Sequence, residues 1–257
     1  MPTMTGKRAA IFGVANDHSI AWAIAQRFHA EGAALALTYP NGAIEKRVRP
    51  LAESIGVELV LPCDVTDDAQ ITAVFDTLGT QWADGLDAVV HSLAFAGRDE
   101  LTGRFVETSR QGFHVAIDVS AYSLVAMARA AEPGLAARRG SLVTMTYYGA
   151  EKVIPHYNVM GVAKAALETC VRYLAFDLGG AGVRVNANSA GPLRTLSAAG
   201  ISGFKDMLHY HEARAPLRRN IAAEEVAAAA LYLCSEAASG VTGEVLHVDG
   251  GYNVMGM

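Results

Sequence analysis

A tyrosine and a lysine seven positions apart are the two residues of this chain best suited to proton chemistry. Tyr157 and Lys164 begin and end the run Tyr-Asn-Val-Met-Gly-Val-Ala-Lys. Seven residues make almost two helical turns, so the spacing predicts that both side chains share one helix face, about 10 Å apart along its axis. A nearby ammonium favours the phenolate form of a tyrosine, which would suit Tyr157 to proton donation or to partnering an oxyanion. The same spacing is also that of an ordinary pair on a solvated surface.

Two further segments are expected to end near this pair. Tyr147 lies ten residues before Tyr157 and follows a strand-like run. It therefore either lines the same crevice or packs over the end of the strand, as buried tyrosines commonly do. Gly191 and Pro192 force a turn after another such run. Thr195, just beyond that turn, could donate to the carboxamide or the phosphates of a cofactor.

The first apolar run leads into a glycine turn and then a helical stretch, over residues 13–21. A strand, a glycine and a helix N-terminus form the arrangement that binds the pyrophosphate of a dinucleotide. The strict Gly-x-Gly-x-x-Gly pattern is absent, because Ser19 and Ala21 stand where the later glycines are expected. Ser19 can cap the helix. An ordinary strand-to-helix turn is the alternative.

The end of the second strand-like run is where a dinucleotide site usually reads the adenosine ribose. Residues 39–42, Tyr-Pro-Asn-Gly, offer no acid for a free 2′-hydroxyl and no base for a 2′-phosphate. Lys46 and Arg47 come later, on a helix whose charged face is expected to be solvated. Asp64, after the third run, could accept a hydrogen bond from an adenine amino group or cap the next helix.

Short β-branched runs alternate with longer helical stretches from end to end. Strands that are apolar on both faces and separated by helices predict a parallel sheet that is covered on both sides. We therefore predict an α/β fold: one Rossmann-like, doubly wound parallel sheet of about seven strands flanked by helices, with residues 1–257 as a single dinucleotide-binding catalytic domain. Ligands bind such sheets beyond the carboxyl ends of the strands. The expected strands are 9–12, 34–39, 58–61, 88–90, 141–145, 183–186 and 245–248. The helical stretches between them include 20–31, 69–78, 113–131, 157–178 and 223–233.

Composition excludes several classes of protein. The 257 residues are 51% hydrophobic and 18% charged, with a net charge of −5, which disfavours a disordered chain and a nucleic-acid partner. Apolar runs end well before the roughly 20 residues of a membrane span, and no signal peptide is recognised, so we expect a cytoplasmic protein. Three dispersed cysteines predict reduced, buried thiols. His209 and His211 lack acidic or cysteine partners nearby, which predicts polar loop residues and no metal site.

Taken together, the two tyrosines, the lysine and the first turn resemble the short-chain dehydrogenase/reductase superfamily, and more narrowly its bacterial-type enoyl-acyl-carrier-protein reductases. The likeness runs nearly end to end, from Gly6 to Gly251. Tyr-x6-Lys separates this group from ordinary short-chain enzymes, which use Tyr-x3-Lys, and the Asn-Asn-Ala-Gly sequence common in those enzymes is missing. The pieces that carry the resemblance are Gly13-Val14-Ala15 with Ser19-Ile20-Ala21, Cys63-Asp64-Val65, residues 91–96, Tyr147 with Tyr157 and Lys164, and residues 186–192.

The resemblance implies a role for each matching residue. Tyr157 hydrogen-bonds the thioester carbonyl and stabilises the enolate, Lys164 binds the nicotinamide ribose, and Tyr147 lines the substrate site as a third catalytic residue. The cofactor, NAD(H), is expected to contact Gly13, Ser19, Ile20, Asp64, Val65, Ser92, Lys164 and Thr195. The substrate is expected to contact Tyr147, Tyr157, Met160, Ile201, Phe204 and Met207.

The implied activity is NADH-dependent reduction of the trans-2 double bond of enoyl thioesters in fatty acid elongation, by a homotetramer acting on acyl carrier protein or coenzyme A thioesters. Residues 195–211 are expected to form a loop that orders over the substrate, or else a pair of short helices packed permanently on the sheet. Family members often carry several bases on this loop, where the acidic carrier docks. Here Ser202, Lys205 and Asp206 leave a single base. The other bases that could serve are Arg194, Arg218 and Arg219.

Two other functions stay open at this stage. One is a ketoacyl or other carbonyl reductase, because Thr144 lies thirteen residues before Tyr157, where ordinary short-chain enzymes keep a polar partner. The other is a non-catalytic nucleotide-binding protein, since fold alone does not determine function. The presence of both Tyr157 and Lys164 counts against the second. Parallel assays with crotonyl and acetoacetyl thioesters would separate the two reductases.

Overall fold

Strands and helices alternate along the chain, for which a computed structural model describes residues 3–195 and 203–256. The strands are β1 (Arg8–Phe12), β2 (Ala34–Tyr39), β3 (Leu59–Pro62), β4 (Ala88–His91), β5 (Ser141–Thr146), β6 (Arg184–Ala190) and β7 (Val245–Val248). The helices are α1 (Ile20–Ala30), α2 (Gly42–Ser54), α3 (Asp68–Gln81), α4 (Arg110–Ile117), α5 (Ser123–Arg138), α6 (Val159–Gly179), α7 (Phe204–Arg214) and α8 (Ala223–Cys234).

The seven strands form one parallel sheet in the order β3-β2-β1-β4-β5-β6-β7. The direction of winding reverses between β1 and β4, and an open α/β sheet leaves a ligand crevice at such a point, beyond the carboxyl ends of the strands. The predicted doubly wound, Rossmann-like sheet is confirmed.

Helices pack on both faces of the sheet and bury its central strands. Successive side chains of a strand point to opposite faces. Ala9 and Ile11 of β1 therefore join the apolar layer beneath α1, α2 and α8, whereas Ala10 and Phe12 join the layer beneath α3, α5 and α6. This two-sided burial is why the strands are continuously apolar in sequence.

Two helical boundaries differ from the sequence prediction. The helix expected over residues 113–131 is interrupted, because α4 passes into a π-helical turn, Asp118–Tyr122, before α5 begins. The helix expected from Tyr157 begins instead at Val159. Asn158 has a φ of +40° and lies outside the helical region, so Tyr157 belongs to the turn that precedes α6.

Part of the expected covering loop is helical. Residues 204–211 belong to α7, whereas residues 196–202, including Ile201 and Ser202, lie outside the described residues. The prediction of a polar loop position is wrong for His211, which is buried. Its Nδ1 lies 3.1 Å from Asn220 Oδ1 and its ring stacks on Tyr252 with centroids 4.8 Å apart. In the described part of the chain, no helix is long and apolar enough to cross a membrane.

Candidate active site

A cavity of about 560 Å³ opens at the carboxyl ends of β1, β4, β5 and β6. Its described lining is mostly apolar, and it gathers segments that are distant in the chain. Asp64 and Val65 do not line it. Of the residues expected to touch cofactor or substrate, the structure brings these to the cavity: Gly13, Ser19, Ile20, Ser92, Tyr147, Tyr157, Met160, Lys164, Thr195, Phe204 and Met207.

The two tyrosines meet edge to face in this cavity. Their ring centroids are 5.0 Å apart with an interplanar angle of 78°, a favourable aromatic geometry. The Tyr147 hydroxyl donates to Met207 Sδ at 3.4 Å, which links β5 to α7. Gly149 makes room for Tyr157, because a Cβ there would lie 2.5 Å from Tyr157 Cδ1. Tyr147 therefore lines the crevice, as one of its two predicted placements required.

A tight turn holds Tyr157 in place, so the predicted sharing of one helix face with Lys164 is wrong. Both neighbours of Tyr157 have left-handed backbone, with φ of +64° at His156 and +40° at Asn158. The Asn158 amide donates to the carbonyl oxygens of Glu100 at 3.3 Å and Gly103 at 3.4 Å. These contacts tie the turn to the segment that follows β4.

Burial decides the charge of this pair, and the expected phenolate is not favoured. Burial, with Tyr147 and Glu168 nearby, raises the pKa of Tyr157 well above its usual value, so the phenol stays protonated at neutral pH. Burial lowers the pKa of Lys164 to about 8, although the Glu168 carboxylate acts in the opposite direction. Lys164 Nζ donates to Met145 O at 2.7 Å, where β5 approaches its end. Tyr157 is thus a neutral hydrogen-bond donor.

The first turn brings backbone to the cavity, as predicted. Gly13 has a φ of +102°, and a Cβ there would overlap the carbonyl of Ser92, so only glycine lets the ends of β1 and β4 approach so closely. Ser19 occupies the N-cap position of α1, but its hydroxyl donates to Asn16 O at 2.7 Å and does not cap the helix. The amides at the start of α1 are therefore available to an anion.

Asp64 and Val65 belong to a turn after β3, away from this cavity. Asp64 Oδ1 accepts from Thr66 N at 3.0 Å and from Thr66 Oγ1 at 2.8 Å. The alternative in which Asp64 caps a helix is wrong, because Asp67 caps α3 by accepting from Ala69 N at 2.9 Å. Contact with the cofactor stays a prediction for Asp64 and Val65.

Thr144 is unavailable to a substrate. It is fully buried, and its hydroxyl lies 2.8 Å from His91 Nδ1. On the other side of the ring, His91 Nε2 lies 2.8 Å from Ser123 Oγ. The Ser123 hydroxyl donates to Val119 O at 2.7 Å and the Thr144 hydroxyl donates to His91 O at 3.2 Å, so both hydroxyls are committed inside this buried group. Thr144 thus secures β5 to β4 and α5 and does not face the cavity.

Sequence reasoning missed this buried polar group around His91, although His91 stands in a run that carries the family resemblance. A sequence signal existed in the polar residues of otherwise apolar strands, such as Thr144 in β5. Only the structure shows their partners. Among the described residues, no three His, Cys, Asp or Glu side chains are grouped so that they could hold a metal ion.

Comparison with known proteins decides the family. A model of the enoyl-(acyl carrier protein) reductase family matches residues 13–253. This chain belongs to that family. Within the reductase family, enoyl-acyl-carrier-protein reductase (NADH) 1 of Rhizobium meliloti (strain 1021) is 55% identical over 254 residues, covering 99% of this chain and 93% of that protein.

Solved structures of enoyl-acyl-carrier-protein reductases agree with this fold. The protein of Anaplasma phagocytophilum in complex with NAD is 52% identical, has a TM-score of 0.94, and matches over 99% of this chain and 96% of its own. The Bacillus cereus protein with NADP+ and an indole naphthyridinone is 50% identical, with a TM-score of 0.96 over 100% of both chains. The family resemblance predicted from the sequence is therefore confirmed.

Proposed function

We propose that this reductase uses NADH to reduce the trans-2 double bond of enoyl thioesters in fatty acid elongation. The observation that supports it best is the placement of a neutral Tyr157 phenol and the Lys164 side chain in one largely apolar cavity beside the glycine turn. The carrier of the acyl chain is acyl carrier protein or coenzyme A. We further propose that the protein is cytoplasmic and forms a homotetramer. Sedimentation equilibrium tests the oligomeric state.

The residues present fit a nicotinamide dinucleotide. Gly13 lets the first turn pack against Ser92 at the edge of the cavity, and the amides at the start of α1 are suited to a negative charge. Lys164 would hold the ribose hydroxyls, and Ser92, Ile20 and Thr195 would line the same face. When bound, NADH supplies the hydride that is added to the β-carbon of the substrate.

Tyr157 acts on the other end of the conjugated system. Negative charge develops on the thioester oxygen during the reduction, and a preorganised donor in an apolar cavity stabilises it strongly. The raised pKa of Tyr157 keeps its proton in place for this hydrogen bond. Tyr147, Met160, Phe204 and Met207 form apolar walls around the acyl chain and exclude water.

Loss of NADH absorbance with crotonyl thioester as substrate tests the activity. We expect turnover with crotonyl thioester and much less with acetoacetyl thioester, because Thr144, which favoured a carbonyl reductase, is committed to His91. Equal or faster turnover of acetoacetyl thioester would favour the carbonyl reductase. NADH binding without turnover of any enoyl thioester would favour a nucleotide-binding protein.

A further inference from the structure

The last two residues of β5 are each held by one side chain of α6. Lys164 Nζ donates to Met145 O at 2.7 Å, and Thr146 Oγ1 donates to Glu168 Oε1 at 2.7 Å. Lys164 and Glu168 are four residues apart, so they lie on one face of the helix, one turn from each other. Both are nearly buried, with 5% and 7% of their surface exposed. Tyr147 directly follows Thr146 in the chain.

Burial of the Glu168 carboxylate costs free energy of folding. A buried carboxylate loses its hydration and is retained only where hydrogen bonds or charges compensate. The Thr146 hydroxyl supplies the hydrogen bond, and Lys164 is the cation one turn away. Burial raises the pKa of Glu168, and the Thr146 hydrogen bond lowers it.

Three other charged or titratable groups face Glu168 from the elements around it. Glu151 raises its pKa, whereas His247 of β7 and Arg172 of α6 lower it. Glu151 and His247 pair with each other at 3.0 Å, so their effects on Glu168 are opposed. On Lys164 itself, the Glu168 carboxylate is the charge that raises the pKa against the effect of burial. Burial and, after it, the charge of Lys164 lower the pKa of His91, which is therefore neutral.

We propose that Glu168 is a positioning residue for the cofactor site: with Thr146 it holds the end of β5 against α6, and its charge keeps Lys164 an ammonium ion. The part that concerns cofactor rests on the proposed function, because Lys164 is taken to hold the nicotinamide ribose. An ammonium group makes stronger hydrogen bonds to ribose hydroxyls than a neutral amine does. Loss of the Glu168 charge should therefore weaken NADH binding at alkaline pH before it affects binding at acidic pH.

NADH affinity measured by calorimetry between pH 6 and 9, without thioester, tests the proposal. The wild-type protein should lose affinity as the pH rises through about 8, because Lys164 loses its proton there. Glu168→Gln keeps an acceptor for the Thr146 hydroxyl but removes the negative charge. The pH at which NADH affinity is lost should therefore fall by roughly one unit, and NADH should bind about fivefold more weakly at pH 8. Thr146→Val removes the hydrogen bond that keeps Glu168 ionised, and it should also shift the pH midpoint of NADH binding to lower pH.

Two control variants separate this role from a general effect on folding. Thr146→Ser keeps the hydroxyl and should restore the wild-type pH midpoint. Asp177→Asn removes one negative charge from an exposed position of the same helix and should leave the midpoint unchanged. A residue that only supported the fold would change the melting temperature of the protein without moving the midpoint.

The proposal is overturned if folded Glu168→Gln binds NADH with the wild-type affinity and midpoint across this range. If Glu168→Gln does not fold, Thr146→Val decides by the same measurement, and an unchanged midpoint in that variant also overturns it. Because no thioester is present, failure here leaves the enoyl reductase activity standing. Absence of enoyl turnover with a shifted NADH midpoint would instead count against the proposed function alone.

Discussion

At the scale of single residues, burial sets the protonation states of the two residues proposed to be catalytic. The Tyr157 phenol is enclosed by Tyr147 and apolar neighbours, which raises its pKa and preserves its proton. Lys164 experiences the same burial with the opposite consequence, because desolvation favours the neutral form of an amine. One residue of the pair is thus suited to donate to an oxyanion, and the other depends on its surroundings to stay charged.

Tyr157→Phe should lower turnover by roughly 10² to 10³, because one preorganised donor to the oxyanion is lost. NADH affinity should change little in this variant. Lys164→Ala should instead weaken NADH binding, since the ribose contacts are lost. Calorimetry and steady-state rates with crotonyl thioester measure the two effects separately. Wild-type NADH affinity in Lys164→Ala would show that its assigned role is wrong.

The choice between NADH and NADPH is expected to depend on Asn41. Its side chain caps α2 by accepting from Ala43 N at 3.1 Å and Ile44 N at 3.2 Å, and it offers no positive charge. The nearby Arg49 is paired with Glu45 at 2.7 Å and lies over the Tyr39 ring at 5.8 Å. Among the described residues, 39–42 offer a 2′-phosphate no cation, and Lys46 and Arg47 come only later, on α2. We therefore expect NADH to be preferred.

Asn41→Arg should raise the ratio of NADPH to NADH catalytic efficiency about tenfold, through a charge-assisted hydrogen bond. Asn41→Ala is the matched control. It loses the same cap, at about 1 kcal/mol of stability, but adds no cation, so its ratio should stay at the wild-type value. This explanation is contradicted if the wild-type protein has a catalytic efficiency with NADPH equal to or above that with NADH. The comparison is informative because the Bacillus cereus relative was crystallised with NADP+.

At the scale of elements, α7 has two differently held ends. Phe204 and Met207, near its start, line the cavity, whereas His211 is buried against Asn220 and Tyr252 further along. The Tyr147 hydroxyl is a further contact to Met207. The first turn of α7 therefore faces the cavity, while the second half is part of the packed protein.

We expect hydrogen exchange to distinguish these two ends. Addition of NAD+ and a flat aromatic inhibitor that stacks on the oxidised cofactor should slow exchange around residues 203–207, because we expect the bound pair to cover Phe204 and Met207. Exchange around His211 should already be slow in the free protein, and α8 serves as an internal control. Protection that is high at both ends and unchanged by ligand would mean that α7 is fixed scaffold and that the predicted covering loop does not order on binding.

At the scale of the whole molecule, basic residues on the surface near the cavity are the expected docking points for an acidic carrier protein. Lys205 is the single base predicted on the covering segment, and Asp206 follows it. Arg219 is paired with Glu225 at 2.7 Å, and the Arg218 guanidinium donates to Ala213 O. Of the three arginines predicted for carrier docking, Arg194 is exposed beside the cavity and has no hydrogen-bond or ion-pair partner among the described residues. We therefore expect an acidic carrier to dock at Arg194.

Arg194→Glu should raise KM for an enoyl-acyl carrier protein about fivefold, because a rim charge of the wrong sign opposes docking. KM for the matching coenzyme A thioester should change little if docking uses the carrier surface. Arg219→Glu is the matched control and should not distinguish the substrates. Equal effects of Arg194→Glu on KM for both thioesters would mean that Arg194 contacts the phosphopantetheine arm that the two substrates share, and not the carrier protein.

The amino-acid sequence by itself determined the layered architecture and the candidate residues. Continuous apolar strands separated by helices require a parallel sheet covered on both faces, and the glycine turn with Tyr157 and Lys164 pointed to one family. These signals are local in the chain or carried by residue spacing, so they are present before the chain folds. Ligand binding at the carboxyl ends of the strands followed from the same pattern.

The tertiary structure decided the charge and the support of those residues. Tyr157 stays protonated because separate elements enclose it, Lys164 is held by Met145, and Glu168 meets Thr146 across 22 positions of the chain. Burial is a property of all the layers together, and a hydrogen bond between distant residues depends on how strands and helices dock. Neither is encoded by spacing within one segment, which is why the sequence pattern favoured a phenolate and the folded protein favours the phenol.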